Sequence, residues 1–378
     1  MKSNFFTILD FGSSKITAMA ATKVGADFVI KAVGQADYNG FDENGWYEPE
    51  ILPQAVKTAI NQVQEKLDAK IKQILVGVPG NFCTVATGEA TTAFASKKKI
   101  DLVDINDIVE KANIFANTAG KIVGKTAVYY LLDGAIKTYD PIGSIAQRLT
   151  GLVCYSFMDK QFESSVTDAL AACGINKVTF TSVCENQARY VATNRNVNGH
   201  AIVIDIGHIT SNVMLLGGNS LLFTKTFALG SGYIASDLYS VLGVSYETAT
   251  ALLSKINLKL EFRQGDVYKV GTTSCESYKT NEIVKARIEQ FADYIKKCFA
   301  YCDKEIPSDT PIILTGGGLT YLQGGAEWLS YYLGKRVHVY TNANPQTNHN
   351  EYTSCYGLLQ YANTLKQSNR GLFSFLKK

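Results

Sequence analysis

Short apolar runs separated by small polar turns open the chain and predict a sheet covered by a helix. Alternating apolar positions favour strands, and apolar residues three to four positions apart favour a helix. The interval 53–67 has the helical period. A buried run at 74–78 follows it and ends at Pro79-Gly80. The predicted strands occupy 5–9, 15–21, 28–33 and 74–78.

The pattern changes between residues 84 and 159, where it predicts a small inserted α/β unit. A helix is expected at 105–118, and strands are expected at 127–132, 135–138 and 152–157. The next helix, 164–173, ends at Gly174, a residue that suits a helix C-terminus.

The second half of the chain repeats the opening pattern. An apolar strand ends in Asp10-Phe11-Gly12, and a second one, at 201–204, ends in Asp205-Ile206-Gly207. In both copies a small turn leads to another strand, which indicates two related lobes. Further helices are predicted at 232–241, 246–256, 283–301 and 324–333, with a buried strand at 311–314.

Composition narrows the class of protein. The 378 residues are 46% hydrophobic and 19% charged, as in a folded globular protein. A net charge of +3 gives no reason to expect a nucleic-acid partner. The eight cysteines form no Cys-x-x-Cys pair, and no apolar run reaches the length of a membrane span. We therefore expect the body of the protein to be cytoplasmic.

The first Asp-x-Gly turn carries residue types that suit a phosphate site. Gly12 lets the backbone approach an anion, Ser13 and Ser14 supply hydroxyls, and Lys15 adds a positive charge. Asp10 can hold Mg²⁺ through water. An ordinary tight hairpin explains this turn equally well when it is taken alone.

Two more glycine-containing segments extend the candidate site. The second turn contains Asp205, Gly207 and Thr210, and a run of three glycines, 316–318, follows the buried strand at 311–314. Three glycines let a loop lie flat against a planar ligand such as adenine. A flexible strand-to-helix loop is the alternative. The order and spacing of all three segments carry the signal.

These segments resemble the phosphate-1, phosphate-2 and adenosine motifs of the actin, Hsp70 and sugar-kinase superfamily. Within it the chain is most similar to the FtsA family, through 9–16, 314–319 and 335–339. The turn at 140–149 resembles one in the inserted 1C domain of that family. The resemblance implies an α/β, actin-like two-lobed fold with duplicated mixed sheets, an inserted 1C-type domain and a nucleotide cleft. It implies ATP at Asp10, Gly12, Ser13, Ser14, Lys15, Asp205, Gly207, Thr210, Gly316, Gly317 and Gly318, with Mg²⁺ held through water by Asp10 and Asp205.

The resemblance also implies a division of the chain into lobes. The expected parts are lobe 1A at 1–84 and 163–198, the inserted 1C-type domain at 85–162, lobe 2A at 199–240 and 305–354, lobe 2B at 241–304, a helix returning to lobe 1A at 355–366, and a tail at 367–378.

The second turn departs from the family pattern. His208 and Ile209 stand where FtsA has glycines, and Asn212 replaces an aspartate. A β-branched residue would be strained at positive φ, and an amide cannot accept a proton from an attacking water. The Ala-Glu-x-x-Lys pattern that holds the ribose and base in FtsA is incomplete at Ala249-Thr250. We expect at most slow ATP hydrolysis and assign no catalytic residue. His208 is either a residue near phosphate or one that tolerates an awkward turn.

The last residues predict a membrane anchor. At about 100° per residue, two Leu and two Phe share one helix face and the basic residues lie opposite, as in an interfacial helix. FtsA is similar in ending with such a helix; docking of this segment on the protein's own surface is the alternative. The membrane residues are Arg370, Leu372, Phe373, Phe375, Leu376, Lys377 and Lys378.

The resemblance implies a cell-division scaffold. An FtsA-like protein polymerises and tethers the ring of FtsZ, a tubulin-like protein, to the inner face of the cell membrane at the division site. The FtsZ C-terminal tail would bind at 241–304, where Arg287, Lys296 and Lys297 can meet acidic residues. The alternatives are a PilM-type pilus assembly scaffold and a small-molecule kinase, although no catalytic base for a kinase is evident.

Overall fold

The first part of the chain forms a five-stranded sheet with a helix packed on it. The computed structural model describes residues 5–368 except 26, 43–44, 47, 116–119, 195–198, 264, 343 and 345–346. The elements up to residue 78 are β1 (Phe6–Phe11), β2 (Lys15–Val24), β3 (Asp27–Asp37), β4 (Phe41–Asp42), β5 (Gly45–Trp46), α1 (Leu52–Leu67) and β6 (Gln73–Val78).

A second, four-stranded sheet occupies the segment in which the sequence predicted an insertion. Its strands are ordered β7-β10-β8-β9. The elements of this segment are β7 (Cys83–Lys99), α2 (Leu102–Lys111), β8 (Lys121–Leu132), β9 (Ile136–Thr138) and β10 (Ile145–Met158). The predicted helix 105–118 was misplaced. Asp101 and Asp104 form a capping box that starts α2 earlier, and α2 ends at Lys111. The domain boundaries themselves stay a prediction.

The chain then returns to the first sheet and crosses to the second half through a helix. The connecting elements are α3 (Lys160–Ala172), β11 (Lys177–Ser182) and α4 (Val183–Asn194). The completed first sheet has the order β11-β6-β1-β2-β3. Helices α1 and α3 cover its outer face, with Val56, Ile60, Phe162 and Val166 fully buried between them and the sheet.

The second half builds a sheet of matching topology, β14-β13-β12-β17-β18. Its elements are β12 (His200–Ile206), β13 (Ser211–Gly217), β14 (Ser220–Phe227), α5 (Gly232–Leu242), α6 (Tyr246–Leu253), β15 (Val267–Val270), β16 (Thr273–Glu276), α7 (Ser277–Tyr301), β17 (Ile312–Thr315), α8 (Gly325–Leu333), β18 (Val337–Val339) and α9 (Thr353–Ser368). None of the helices within the described ranges combines the length and apolarity of a bilayer span.

The duplication predicted from the sequence is present in the strand register. In the first sheet Asp10 pairs with Thr17 across the antiparallel β1 and β2, and in the second Asp205 pairs with Asn212 across β12 and β13. In each sheet the first strand also has a parallel neighbour, β6 or β17. The two sheets are therefore two lobes of one architecture.

Helices α4 and α9 lie between the two lobes. Val191 of α4 and Leu358 of α9 belong to one buried cluster with residues of both sheets, including Ile8 and Val203. This shared core holds the lobes side by side, so that the turns after β1 and β12 face each other.

Candidate functional site

Each of the two Asp-x-Gly turns is closed by a backbone hydrogen bond that starts at its glycine. The Gly12 amide donates to the Lys15 carbonyl at 3.0 Å, and the Gly207 amide donates to the Thr210 carbonyl at 3.1 Å. A Cβ on Gly207 would lie 2.7 Å from that Thr210 oxygen. Glycine is thus required because the turn doubles back against its own backbone.

Ser13 joins the two turns across the lobes. Its Oγ accepts hydrogen bonds from the Ile209 amide at 3.0 Å and from the Thr210 amide at 3.3 Å. Successive amides that converge on one point form a concavity that attracts oxygen anions. The neutral Ser13 hydroxyl fills that concavity here, and it is buried. The sequence prediction that these two turns face each other is consistent with this geometry.

The glycine run packs against the second turn. A Cβ on Gly316, where φ is +89°, would lie 2.2 Å from Asp205 Oδ1, and one on Gly318 would lie 2.6 Å from the Gly207 carbonyl oxygen. The Gly318 amide also donates to the Ile206 carbonyl at 2.8 Å. The backbone of this loop lies so close to the turn that only glycine fits at these positions. The sequence alone did not supply this reason. Gly317 faces Glu351, whose Cβ would be 3.1 Å from an added Cβ.

The carboxylate of Asp10 is buried and is held by the start of α9. Ser354 donates its hydroxyl to Asp10 Oδ2 at 2.6 Å, and the Cys355 thiol approaches the same oxygen at 3.5 Å. Burial raises the pKa of Asp10, while these two donors and the charge of Lys15 oppose that rise. Ser354 and Cys355 were not predicted as site residues.

The pKa of Asp205 is raised as well. Its burial raises its pKa to about 6, and the negative charge of Asp10 adds to the rise. Side-chain hydrogen bonds from Gln187 and Asn212 act in the opposite direction. The influence of Asp10 on Asp205 means that the two predicted carboxylates face one region between the lobes.

Gln187 of α4 is a site residue that sequence reasoning missed. It is 1% exposed, and its Oε1 has no hydrogen-bond partner among the described residues. A buried unpaired oxygen beside Asp205 is costly unless a donor such as water or a ligand reaches it. The signal in the sequence was the polar run Glu185-Asn186-Gln187 inside a helix whose neighbouring positions are mostly apolar.

Ser14 and Lys15 lie in the first turn but make different contacts. The Ser14 carbonyl accepts from the Tyr38 amide at 3.0 Å. Lys15 Nζ lies 5.5 Å from the centre of the Tyr352 ring, a cation–π distance. Its ammonium therefore lies near the 350–352 segment, which leads into α9.

The expected strain at Ile209 is absent. Among the described residues, only Asp68 and Asp133 combine a side chain larger than glycine's with positive φ. The His208 carbonyl accepts from the Gly232 amide at 2.9 Å, and the imidazole packs against Gly232 at the start of α5. Burial lowers the pKa of His208. Contacts with α5 thus shape this turn without the family's glycines.

The candidate site offers amide hydrogen-bond donors for an anion and carboxylate oxygens for a hard cation. Two amides converge at the position of Ser13 Oγ, and two carboxylates lie beside them. No group of three or more His, Cys, Asp or Glu side chains within the described ranges is arranged to hold a metal. A Mg²⁺ ion would therefore depend on Asp10, Asp205, water and the oxygens of an anion, which is its usual mode of binding. The predicted membrane residues, Arg370 to Lys378, lie outside the described residues.

The chain resembles known proteins in sequence and in fold. No protein-family model matches the chain. The cell division protein FtsA of Streptococcus pneumoniae is 26% identical over 385 residues, covering 97% of this chain and 82% of that protein. FtsA of Enterococcus faecalis is 25% identical over 337 residues, covering 84% of this chain and 74% of that protein.

Solved structures of low identity share the fold. The PilM–PilN type IV pilus biogenesis complex matches with a TM-score of 0.60 and 13% identity, covering 94% of this chain and 98% of that one. MreB5 of Spiroplasma citri bound to ADP matches with a TM-score of 0.57 and 9% identity, covering 98% and 100%. These likenesses show an actin-like, two-lobed fold.

Proposed function

The chain is a divergent FtsA-like protein with the actin fold, and from this premise we propose that it is a nucleotide-binding scaffold of cell division. In this proposal it assembles into filaments and attaches FtsZ to the inner face of the cytoplasmic membrane. The observation that supports it best is the contact between the two turns, where Ser13 of one lobe occupies the amide concavity of the other.

ATP would bind where the three glycine-containing segments converge. A phosphate oxygen would replace Ser13 Oγ at the Ile209 and Thr210 amides, and Ser13, Ser14 and Lys15 would hold further phosphate oxygens. Gly316, Gly317 and Gly318 would border the base, and Asp10 and Asp205 would hold Mg²⁺ through water. When bound, the ion would neutralise phosphate charge and relieve the repulsion between the two carboxylates.

Hydrolysis would be slow or absent. Asn212 cannot act as a base, and its Oδ1 already accepts from the Thr226 hydroxyl at 2.7 Å. Asp10 is engaged by Ser354 and Cys355. Gln187 Oε1 is the one buried polar atom described at the site that lacks a partner, and an amide can orient a water but cannot take its proton.

The FtsZ tail would dock in the region 241–304. Arg287 is not available for this, because it forms a bidentate pair with Asp237 at 2.6 Å. Lys296 and Lys297 are on the same helix, α7. On α5 and α6, the rings of Tyr239 and Tyr246 have centres 6.4 Å apart, and about half of each residue is exposed. Exposed aromatic and basic side chains suit a short acidic peptide.

Calorimetry and co-sedimentation test the proposal. We expect Mg-ATP to bind with one site per chain, to release phosphate slowly, and to promote sedimentation of the protein. FtsZ should co-sediment with it, and an FtsZ variant without the C-terminal tail should not. Absence of ATP binding would contradict the nucleotide site, and rapid phosphate release would contradict our interpretation of Asn212. Equal co-sedimentation of tailless FtsZ would contradict the assignment of the partner.

A further inference from the structure

The edge of the first sheet that lies farthest from the cleft carries a group of lysines. Strand β1 runs from Phe6 at this edge toward Asp10 at the cleft. Because β1, β6 and β11 are parallel, their N-terminal ends meet here, and Lys177 pairs with Gln73 in the register. The lysine edge, as we call it, consists of Lys23, Lys70, Lys72, Lys177 and Lys366.

Helix α9 ends at the same edge. Lys366 Nζ lies 4.7 Å from the centre of the Phe6 ring, and Phe6 packs edge-on against Phe28 at 5.9 Å. Lys23 Nζ lies 4.4 Å from the Phe28 ring. The end of α9 and the β2–β3 turn are therefore neighbours.

The lysines outnumber the acids at this edge. Lys70, Lys72 and Lys177 are exposed, and none of them forms an ion pair with another residue of the described ranges. The carboxylates nearby are Asp27, which interacts with Lys23, and Glu65 and Asp68 at the end of α1. Neighbouring strands are about 4.8 Å apart, so the row from β11 to β2 spans roughly 15 Å.

The length of the remaining chain sets how far this edge can lie from a membrane. Residues 369–378 follow α9, and the apolar residues Leu372 to Leu376 are those proposed to enter the lipid interface. Only 369–371 separate them from α9, and three residues span at most about 11 Å. That distance is close to the Debye length of about 8 Å at physiological salt, so charges at the edge would act on the lipid headgroups.

We propose that the lysine edge is a second membrane-contact surface, which lies on anionic lipid headgroups when the tail is inserted. This inference rests on the proposed membrane function of the tail. It fixes the orientation of the body: the cleft faces away from the bilayer, because it lies at the opposite end of β1. Val24, the last residue of β2, is 58% exposed at the same edge.

The test is flotation of the full-length protein with phosphatidylcholine vesicles that contain or lack phosphatidylglycerol. Lysines near an anionic surface each contribute about fivefold in binding, so Lys72→Glu/Lys177→Glu should weaken binding to the anionic vesicles ~25-fold or more. Binding to neutral vesicles should be unchanged. Lys72→Gln/Lys177→Gln should show a smaller loss on the anionic vesicles.

The matched control is Lys97→Glu/Lys99→Glu, which makes the same change in net charge on the exposed end of β7. Equal binding by the edge variant and this control overturns the inference. A Phe373→Asp/Phe375→Asp variant separates the two proposals. If it floats as the wild type does, the membrane function of the tail is wrong. If it is released while the edge variant behaves as the control, only the lysine edge is wrong. The edge variants should unfold at the same temperature as the wild type, so that a loss of flotation reflects weaker lipid binding and not unfolding.

Discussion

At the scale of single residues, Ser13 connects the two turns across the lobes. Ser13→Ala removes the acceptor of the Ile209 and Thr210 amides, and leaving buried donors unpaired costs about 1–3 kcal/mol. We expect the free energy of unfolding to fall by that amount. Hydrogen exchange of both amides should become faster. Ser14→Ala is the control, because the described backbone contact of Ser14 to Tyr38 survives the change. Unchanged exchange in Ser13→Ala would contradict the cross-lobe contact.

Asp205 should make stability depend on pH. Its pKa is about 6 in the folded protein, against 3.8 for an ordinary aspartate, so the folded protein holds this proton more tightly than the unfolded chain does. The stabilising contribution is complete below about pH 4 and is lost as the pH rises through about 6, at a cost on the order of 2 kcal/mol for this half-buried group.

The test for Asp205 is the free energy of unfolding of Asp205→Asn and of wild type, measured with a chemical denaturant. A metal chelator is present and nucleotide is left out. The variant should gain stability relative to wild type between about pH 4 and pH 8, because its amide does not titrate. Asp10→Asn is a useful second variant, since it removes the charge that raises the Asp205 pKa. A constant difference between Asp205→Asn and wild type across this range would contradict the perturbed acid.

At this scale the sequence predicted the three segments that border the candidate site, but not the residues that support them. The Asp-x-Gly turns and the glycine run are local patterns, so their residues could be identified one segment at a time. Gln187, Ser354 and Cys355 reach the site only because α4 and α9 pack between the lobes. Ser354 and Cys355 contact Asp10 from the other end of the chain. Gln187 contacts Asp205 of the following strand, from a helix whose packing no local pattern encodes.

At the scale of elements, Gly357 controls the crossing of α4 and α9. A Cβ at this position would lie 2.7 Å from the Asn186 backbone C and O atoms and 2.8 Å from the Gln187 amide nitrogen. Backbone cannot move aside as a flexible side chain can, so Gly357→Ala should destabilise the protein by about 1–3 kcal/mol. It should also weaken ATP binding, because the helices carry Gln187 and Ser354. Thr364→Ala, on the exposed side of α9, is the control. Wild-type thermal unfolding of Gly357→Ala would show that the crossing is not tight.

Element prediction succeeded where a helix has a clearly apolar face or a strand is apolar throughout. Helices α5 and α8 and strands β12 and β17 lie within one or two residues of their predicted bounds. Strand β7 was not predicted, because its alanines, threonines and terminal lysines give little contrast between its two faces. It exists because β10 pairs with it almost throughout its length. Tertiary pairing therefore decides the structure of such segments.

At the scale of the whole molecule, duplication made the fold predictable. Two copies of one strand-turn-strand unit require a surface where they meet, and helices α4 and α9 supply its core. The contact distances between the lobes were beyond prediction, since they depend on how both cores pack. The same architecture places the cleft at one end of β1 and the exit of α9 at the other.

The weak binding expected of a single tail predicts that assembly, and not single-molecule affinity, governs membrane attachment. Burying Leu372, Phe373, Phe375 and Leu376 would contribute about 1.5–3 kcal/mol each. Ordering about ten residues offsets much of that gain, so one tail should bind weakly. A filament presents many tails at once and should bind firmly through avidity.

Binding to anionic vesicles should therefore rise steeply with protein concentration, and Phe373→Asp/Phe375→Asp should abolish it at all concentrations while leaving thermal unfolding unchanged. Phe375→Leu, which keeps the apolar face, is the control. Binding that rises in simple proportion to concentration would show that single chains attach independently.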